Sequence, residues 1–264
     1  SPIAKEKGYG NGAAEPCELR AGFVISNAAA RQTFQKLVGA DRLPGGFLGK
    51  LGRMEVTPPF CALFLGLNMD LKKMGFVPAL HVHSSTYDTD EHFRNVEAKI
   101  ASTDGPAPFF RFQLAPLSDS TSAPAGKTAL VMHGIPAPAG GWETPGFEKR
   151  VIDAMIRRAE KVIPGLSGAI EYQEFCSPAS LDKYVLCGQD ASLGWALTPK
   201  QVGPNRFPQT TPVRNLFLSG HWTGPAVGVL AVVISGLQAA QKILKVEGTD
   251  EPLLDIGVKG GIVI

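Results

Sequence analysis

The chain has 264 residues, 44% hydrophobic and 19% charged, enough for one large domain or two small ones and too apolar for a disordered tail. A formal net charge of +2, with no basic run carrying interleaved aromatics, argues against a nucleic-acid partner. No secretory signal is seen, and the longest apolar run, Ala226 to Ile234, is interrupted at Gly228 and too short to span a membrane. The expected location is therefore cytoplasmic. The 30 glycines and 21 prolines imply many turns and long connections.

Residues 1–16 are charged and glycine-rich. Gly8, Gly10 and Ala13 spell G-x-G-x-x-A, the dinucleotide fingerprint. That fingerprint works only between a buried strand and a helix. Here Lys5, Glu6 and Lys7 precede it, and Glu15 with Pro16 would stop a helix, so it reads as a surface loop. Leu19 to Ser26 predicts a strand, and Asn27 an N-cap for a helix ending at Gly39.

Phe60 to Leu67 is continuously apolar, as expected of a buried strand. Ala79 to Ser84 and Thr128 to Gly134 alternate, and Phe109 to Ala115 is a further strand. Strands with few helices between them predict a largely antiparallel sheet. Ser118 to Lys127 is a polar turn between two of them.

His81 and His83 would share one strand face, and His92 follows. No cysteine or carboxylate cluster joins them at ligand spacing, so no metal site is expected. Cys17, Cys61, Cys176 and Cys187 form no CxxC pair and read as free thiols. No G-x-S-x-G is present, so a serine hydrolase elbow is not supported.

Thr144 and Pro145 predict the start of an amphipathic helix. Its apolar stripe is Phe147, Val151, Ile152, Met155, Ile156, Ala159, Val162 and Ile163, and Pro164 with Gly165 stops it. Arg150, Arg157, Arg158 and Lys161 lie off that stripe. They read as a solvated face, with membrane-surface contact the alternative.

The stretch from Arg214 to Lys245 organises the rest. Asn215 to Ser219 is a short apolar strand of the kind buried on both faces. Gly220 ends it, and His221 to Pro225 form a turn. Gly228 opens a helix with Val229, Val232, Val233, Leu237, Ala240 and Leu244 on one side and Ile234 and Ala239 on the other. It is expected to be buried nearly all round. A helix opening at glycine leaves backbone N–H groups unpaired, and a ligand's anionic or carbonyl group is a natural acceptor.

These residues, read through Ser235, Gly236, Ala239 and Ala240, resemble the C-terminal FAD-contacting segment of the phytoene desaturase and carotenoid isomerase family. That family belongs to the amine-oxidase-like flavoproteins. Arg20 to Ala28 resembles the family's strand returning from the substrate domain to the FAD domain. Ser177, Pro178, Leu181, Tyr184, Gly194 and Arg206 match it in order. The resemblance runs from about Leu19 to Leu244.

It implies an α/β (α+β) fold: the C-terminal part of an FAD-binding Rossmann-like domain plus a mixed, largely antiparallel substrate-domain sheet with helices. Residues 1–50 would return to the FAD domain, 51–190 form part of the substrate domain, 191–245 contact FAD, and 246–264 form a tail. It implies FAD as cofactor, touched by Gly220, His221, Trp222, Thr223, Pro225, Gly228 and Val229. His221 stands where relatives often carry an acidic residue, and is expected within reach of the ribityl or pyrophosphate. No catalytic acid or base is assigned.

Members of the family begin with a strand, G-x-G-x-x-G and a helix, for which these residues show no counterpart. The chain would thus be a fragment, one subunit of a split enzyme, or a degenerate relative. The expected partners are a companion polypeptide carrying the N-terminal GxGxxG half and a small lipophilic substrate, with peripheral membrane contact the alternative to a free cytoplasmic protein. The implied activity is desaturation, saturation or isomerisation of a lipophilic polyene. Flavin-dependent amine oxidation and a non-catalytic scaffold role are the rivals. The strands from Phe60 to Ile135 are expected in a layer separate from the strand at Asn215 to Leu218.

Overall fold

The computed structural model describes residues 18–57, 60–84, 87–88, 90, 109–114, 118–119, 121–133, 145–186, 193–225 and 227–248. The glycine string at residues 8–13, His92, Thr144, Cys17, Cys187 and the tail beyond residue 248 lie outside them.

Among the described residues two sheets form, and they are separate as the strand patterns predict. The smaller pairs β1 (Val24–Ser26) in parallel with β7 (Leu216–Leu218), matching Val24 to Leu216, Ile25 to Phe217 and Ser26 to Leu218. The larger has five antiparallel strands in the order β3-β4-β5-β2-β6. Its members are β2 (Ala62–Leu67), β3 (Leu80–Ser84), β4 (Phe109–Gln113), β5 (Thr128–His133) and β6 (Ile170–Cys176). Everything in the larger sheet falls between β1 and β7 in sequence. It is thus an insertion between two strands that are neighbours in space.

Side-chain alternation explains the larger sheet's single covered face. Leu63, Leu65 and Leu67 of β2, Phe112 of β4, and Leu130 and Met132 of β5 are buried together. α2 (Phe147–Glu160) seals them, placing Met155 and Ala159, with Ile163 just beyond, into the same core. The predicted stripe is therefore the buried one. The helix opens at Phe147 behind Gly146, which adopts φ 75°, and not at the expected Thr144–Pro145 cap. Arg158 is half-buried, and desolvation with repulsion from Arg157 lowers its pKa to about 10. A four-residue turn, α3 (Leu166–Ala169), and then β6 follow. The opposite face leaves Phe64, Leu80, Val82 and Tyr172 exposed.

A second core gathers Ala30, Phe34, Leu43, Leu51, Trp195, Phe207, Leu216, Leu218 and Trp222 around the parallel pair. Phe34 belongs to the segment Gln32–Gly39, which winds with the wide π-type spacing. Leu51 belongs to α1 (Gly45–Arg53), which forms despite four glycines. Helical residues begin at Ala30, so Asn27 stands before the helix and does not serve as its N-cap. Beside this core Val56 bridges Trp195, and Gln201 bonds both the N–H and the C=O of Glu55. α4 (Pro178–Val185) is capped by Ser177, whose Oγ accepts from the Ser180 N–H.

The last helix, α5 (Val229–Val246), corrects two expectations. Its apolar residues are not buried nearly all round: 11% of it is buried, and Val229 and Leu230 are 83% and 75% exposed. With 18 residues and a mean hydropathy of 1.5, it is long and apolar enough, by those measures, to cross a membrane. A count of unbroken apolar residues missed this because Ser235, Gly236 and Gln238 interrupt the run without making it strongly polar. The face carrying Ser235 and Ala239 is the docked one.

Candidate functional site: the turn after β7 and the start of α5

β7 delivers the chain into a tight turn at Gly220. Ser219 N–H still bonds Ser26 C=O, so the turn starts flush with the end of both parallel strands. Gly220 has φ 87°, and a Cβ there would lie 2.0 Å from Asn27 Oδ1. Glycine is thus required both by conformation and by space. The Gly220 N–H donates to Ser235 Oγ at 2.7 Å, and that hydroxyl donates to Val232 C=O. This ties the turn to the docked face of α5.

Trp222 and Thr223 are buried, with their side chains turned inward. Trp222 stands edge-on to Trp195, with ring centroids 4.8 Å apart, and its C=O accepts from Trp195 Nε1. Thr223 Oγ1 donates to Phe207 C=O at 2.7 Å. Gly224 N–H bonds the same carbonyl, and its C=O accepts from Gln209 Nε2, which also reaches Gln238 Oε1 on α5. The Gly224–Pro225 bond is cis.

His221 is half-buried against Trp222. Desolvation, and then the nearby Arg206 charge, hold its pKa below the usual histidine value, so the ring is neutral at pH 7. A neutral imidazole can accept a hydrogen bond from a hydroxyl. Gly194 fits beneath it, where a Cβ would lie 2.6 Å from the His221 carbonyl oxygen.

Gly228, at φ 93°, precedes α5 with no side-chain cap, and both it and Val229 are exposed. The first N–H groups of α5 therefore open to solvent. Among the described residues, the main-chain N–H groups of His221 and Trp222 also have no partner. The candidates Gly220, His221, Trp222, Thr223 and Pro225 thus form one pinned turn, with Gly228 and Val229 at the adjoining helix mouth. The turn presents donors through its backbone, with Trp222 and Thr223 acting as internal fasteners. Such a surface suits an acceptor-rich, anionic or carbonyl-bearing group.

Asn27, Trp195, Arg206, Gln209 and Ser235 reach the turn from distant parts of the chain. Spacing carries no signal for such contacts. His81 and His83 both stack on Phe112, and no group of three or more His, Cys, Asp or Glu side chains forms a metal-ligand cluster among the described residues.

The fold is α/β: a turn closes a parallel strand pair, and an antiparallel sheet is inserted between those strands. It superimposes on an oxidoreductase from Methanosarcina mazei with a TM-score of 0.52 and 12% identity, covering 88% of this chain and 44% of that one. Sequence comparison narrows the relation. A chloroplastic prolycopene isomerase from Daucus carota is 27% identical over 249 residues, or 90% of this chain and 38% of that protein. The Arabidopsis thaliana protein of the same name is 26% identical over 96% of this chain and 42% of its own length. The resemblance to carotenoid isomerases therefore holds over most of the chain. The chain spans about two-fifths of the length of these relatives. No protein-family profile matches it.

Proposed function

We propose that this chain is the flavin-facing part of an FAD-dependent oxidoreductase acting on a lipophilic polyene by desaturation, saturation or isomerisation. The carrying observation is the pinned turn after β7, with unpaired His221 and Trp222 N–H groups beside the open start of α5. The relation to two prolycopene isomerases supports the choice of substrate class.

FAD, when bound, supplies the electron or hydride chemistry, and the protein supplies binding and orientation. In this reading the α5 N-terminus and the turn's N–H groups would hold acceptor groups of FAD, and His221 would accept a hydrogen bond from one of its hydroxyls. The exposed sheet face bearing Phe64, Leu80, Val82 and Tyr172 would offer apolar surface to a polyene.

The ADP half needs polypeptide beyond what the described residues provide. The α5 N-terminus contributes ~0.3–2 kcal/mol toward a negative charge. At ~1.4 kcal/mol per tenfold, that is at most about thirtyfold in affinity. A G-x-G-x-x-G strand and helix, in a companion chain or further sequence, would complete the grip and cover α5. The two relatives are chloroplastic by name; for this chain a cytoplasmic location, with peripheral membrane contact, is part of the proposal.

The test is reconstitution. The chain purified alone should be colourless, and should become yellow with stoichiometric FAD when mixed with a polypeptide carrying the fingerprint unit. Polyene added to that complex should then be converted. A folded chain yellow with stoichiometric FAD by itself would refute the need for a companion. A complex that never takes up FAD would refute the flavin reading. His221→Ala should weaken FAD binding in the complex, and unchanged affinity would leave only backbone contact at that position.

A further inference from the structure

Arg206 is among the most deeply buried side chains described, at 2% exposure. Its guanidinium donates to three main-chain carbonyls: Nη2 to His221 at 2.8 Å, Nε to Thr223 at 3.1 Å and Nη1 to Trp195 at 3.2 Å. No carboxylate pairs with it among the described residues. We propose that Arg206 is the positioning residue of the cofactor-facing turn, locking the peptide planes of residues 221–223 so that the Trp222 N–H is held ready for a ligand oxygen. This inference rests on the flavin reading of the turn.

The argument begins with peptide planarity. A carbonyl and the N–H that follows it point in opposite directions across a trans peptide. Since Arg206 holds the His221 C=O, the Trp222 N–H points away from the guanidinium. The same logic applies at Thr223, where the next N–H, on Gly224, bonds Phe207 C=O. One fork therefore sets the rotation of the two planes that flank the Trp222–Thr223 peptide, whose own C=O is held by Trp195 Nε1. A planar group with five N–H donors in a fixed fork meets three separate carbonyls in set directions; an ammonium's three donors radiate from one nitrogen, which would have to reach all three carbonyls itself.

The third carbonyl extends the lock. Trp195 pairs with Val56, which packs in the same core on the segment that follows α1. Arg206 thereby fixes the turn relative to the segment leading toward β2. A buried cation without a counter-charge is costly where neutral donors would serve a purely structural tie. Its charge lies near His221, where, after desolvation, it is the second cause that holds the imidazole pKa below the usual histidine value.

Arg206→Lys and Arg206→Gln test this in the full chain. In both, the Gly224 amide should exchange with solvent about tenfold faster, while the Leu65 amide in the other core stays unchanged. His221, followed by NMR titration, should shift upward in the glutamine variant and stay low in the lysine variant, which keeps the charge. FAD titrated into each chain with the fingerprint polypeptide should bind about tenfold more weakly than to the parent. Parent-like Gly224 exchange in a folded variant would overturn the proposal. So would loosened exchange with unchanged FAD affinity, because Arg206 would then be structural only. If the glutamine variant does not fold, the lysine variant decides through its exchange and affinity. If the parent complex takes up no FAD, the flavin reading fails while Gly224 exchange and His221 titration still judge the lock.

Discussion

Replacing Gly220 by alanine separates two physical reasons for one glycine. At φ 87°, an L-residue carries a backbone penalty of about 1–3 kcal/mol. The added Cβ would also lie 2.0 Å from Asn27 Oδ1 and 3.2 Å from its Cγ. Asn27 is a short, flexible side chain and can swing away, so this overlap adds about 1 kcal/mol, the low end for overpacking. The expected loss is about 2–4 kcal/mol. In an Asn27→Ala background the overlap disappears and the backbone penalty stays. The cycle should therefore show a coupling of about 1 kcal/mol between residues 193 positions apart. Urea unfolding at unchanged m-value is the assay. A Gly220→Ala protein within about 0.5 kcal/mol of the parent would refute the reasoning, and equal losses in both backgrounds would refute the contact.

Ser235→Ala should lower stability by about 1–3 kcal/mol, because the Gly220 N–H loses its buried acceptor; a urea midpoint equal to the parent's would count against that bond. His83, His133 and His221 all have pKa values held below 6.5, chiefly by desolvation, then by His81, Arg111 and Arg206 respectively. The folded state therefore binds fewer protons than the unfolded chain. Stability should be full above the unfolded value near 6.5 and fall as pH drops through the lower folded values. Urea midpoints at successive pH values check this, and His133→Gln with His221→Gln should flatten the slope. Val229→Lys with Leu230→Lys should change the stability of the isolated chain by no more than about 0.5 kcal/mol per site, since both side chains face solvent. The same pair should block assembly with the fingerprint polypeptide, read by size-exclusion chromatography; undiminished assembly would exclude α5 from that interface.

Local pattern was enough to find the strands and the turn. The alternating β3 and β5 segments and the continuous run at β2 were legible because side-chain alternation is a property of the strand itself. So was the glycine turn after β7, since strand, glycine and helix follow one another within a few residues. α2 was legible by its stripe, though its first residue was set by Gly146. Other features had to await the fold. α1 carries four glycines and low helix propensity, and forms because Leu51 finds a core made by residues near 195 and 207. The exposure of α5 could not be read from its composition, because an apolar residue is buried only if something covers it. Asn27 looked like a helix cap because asparagine prefers caps. The parallel pairing of β1 with β7 instead sets it against Gly220. Arg206 shows the same limit most plainly: in sequence it is one basic residue in a loop, and only the packing of Trp195 and the turn brings three carbonyls around it. Periodicity reports what a segment can bury, whereas the identity of its partners is a long-range property set by chain closure and tertiary packing.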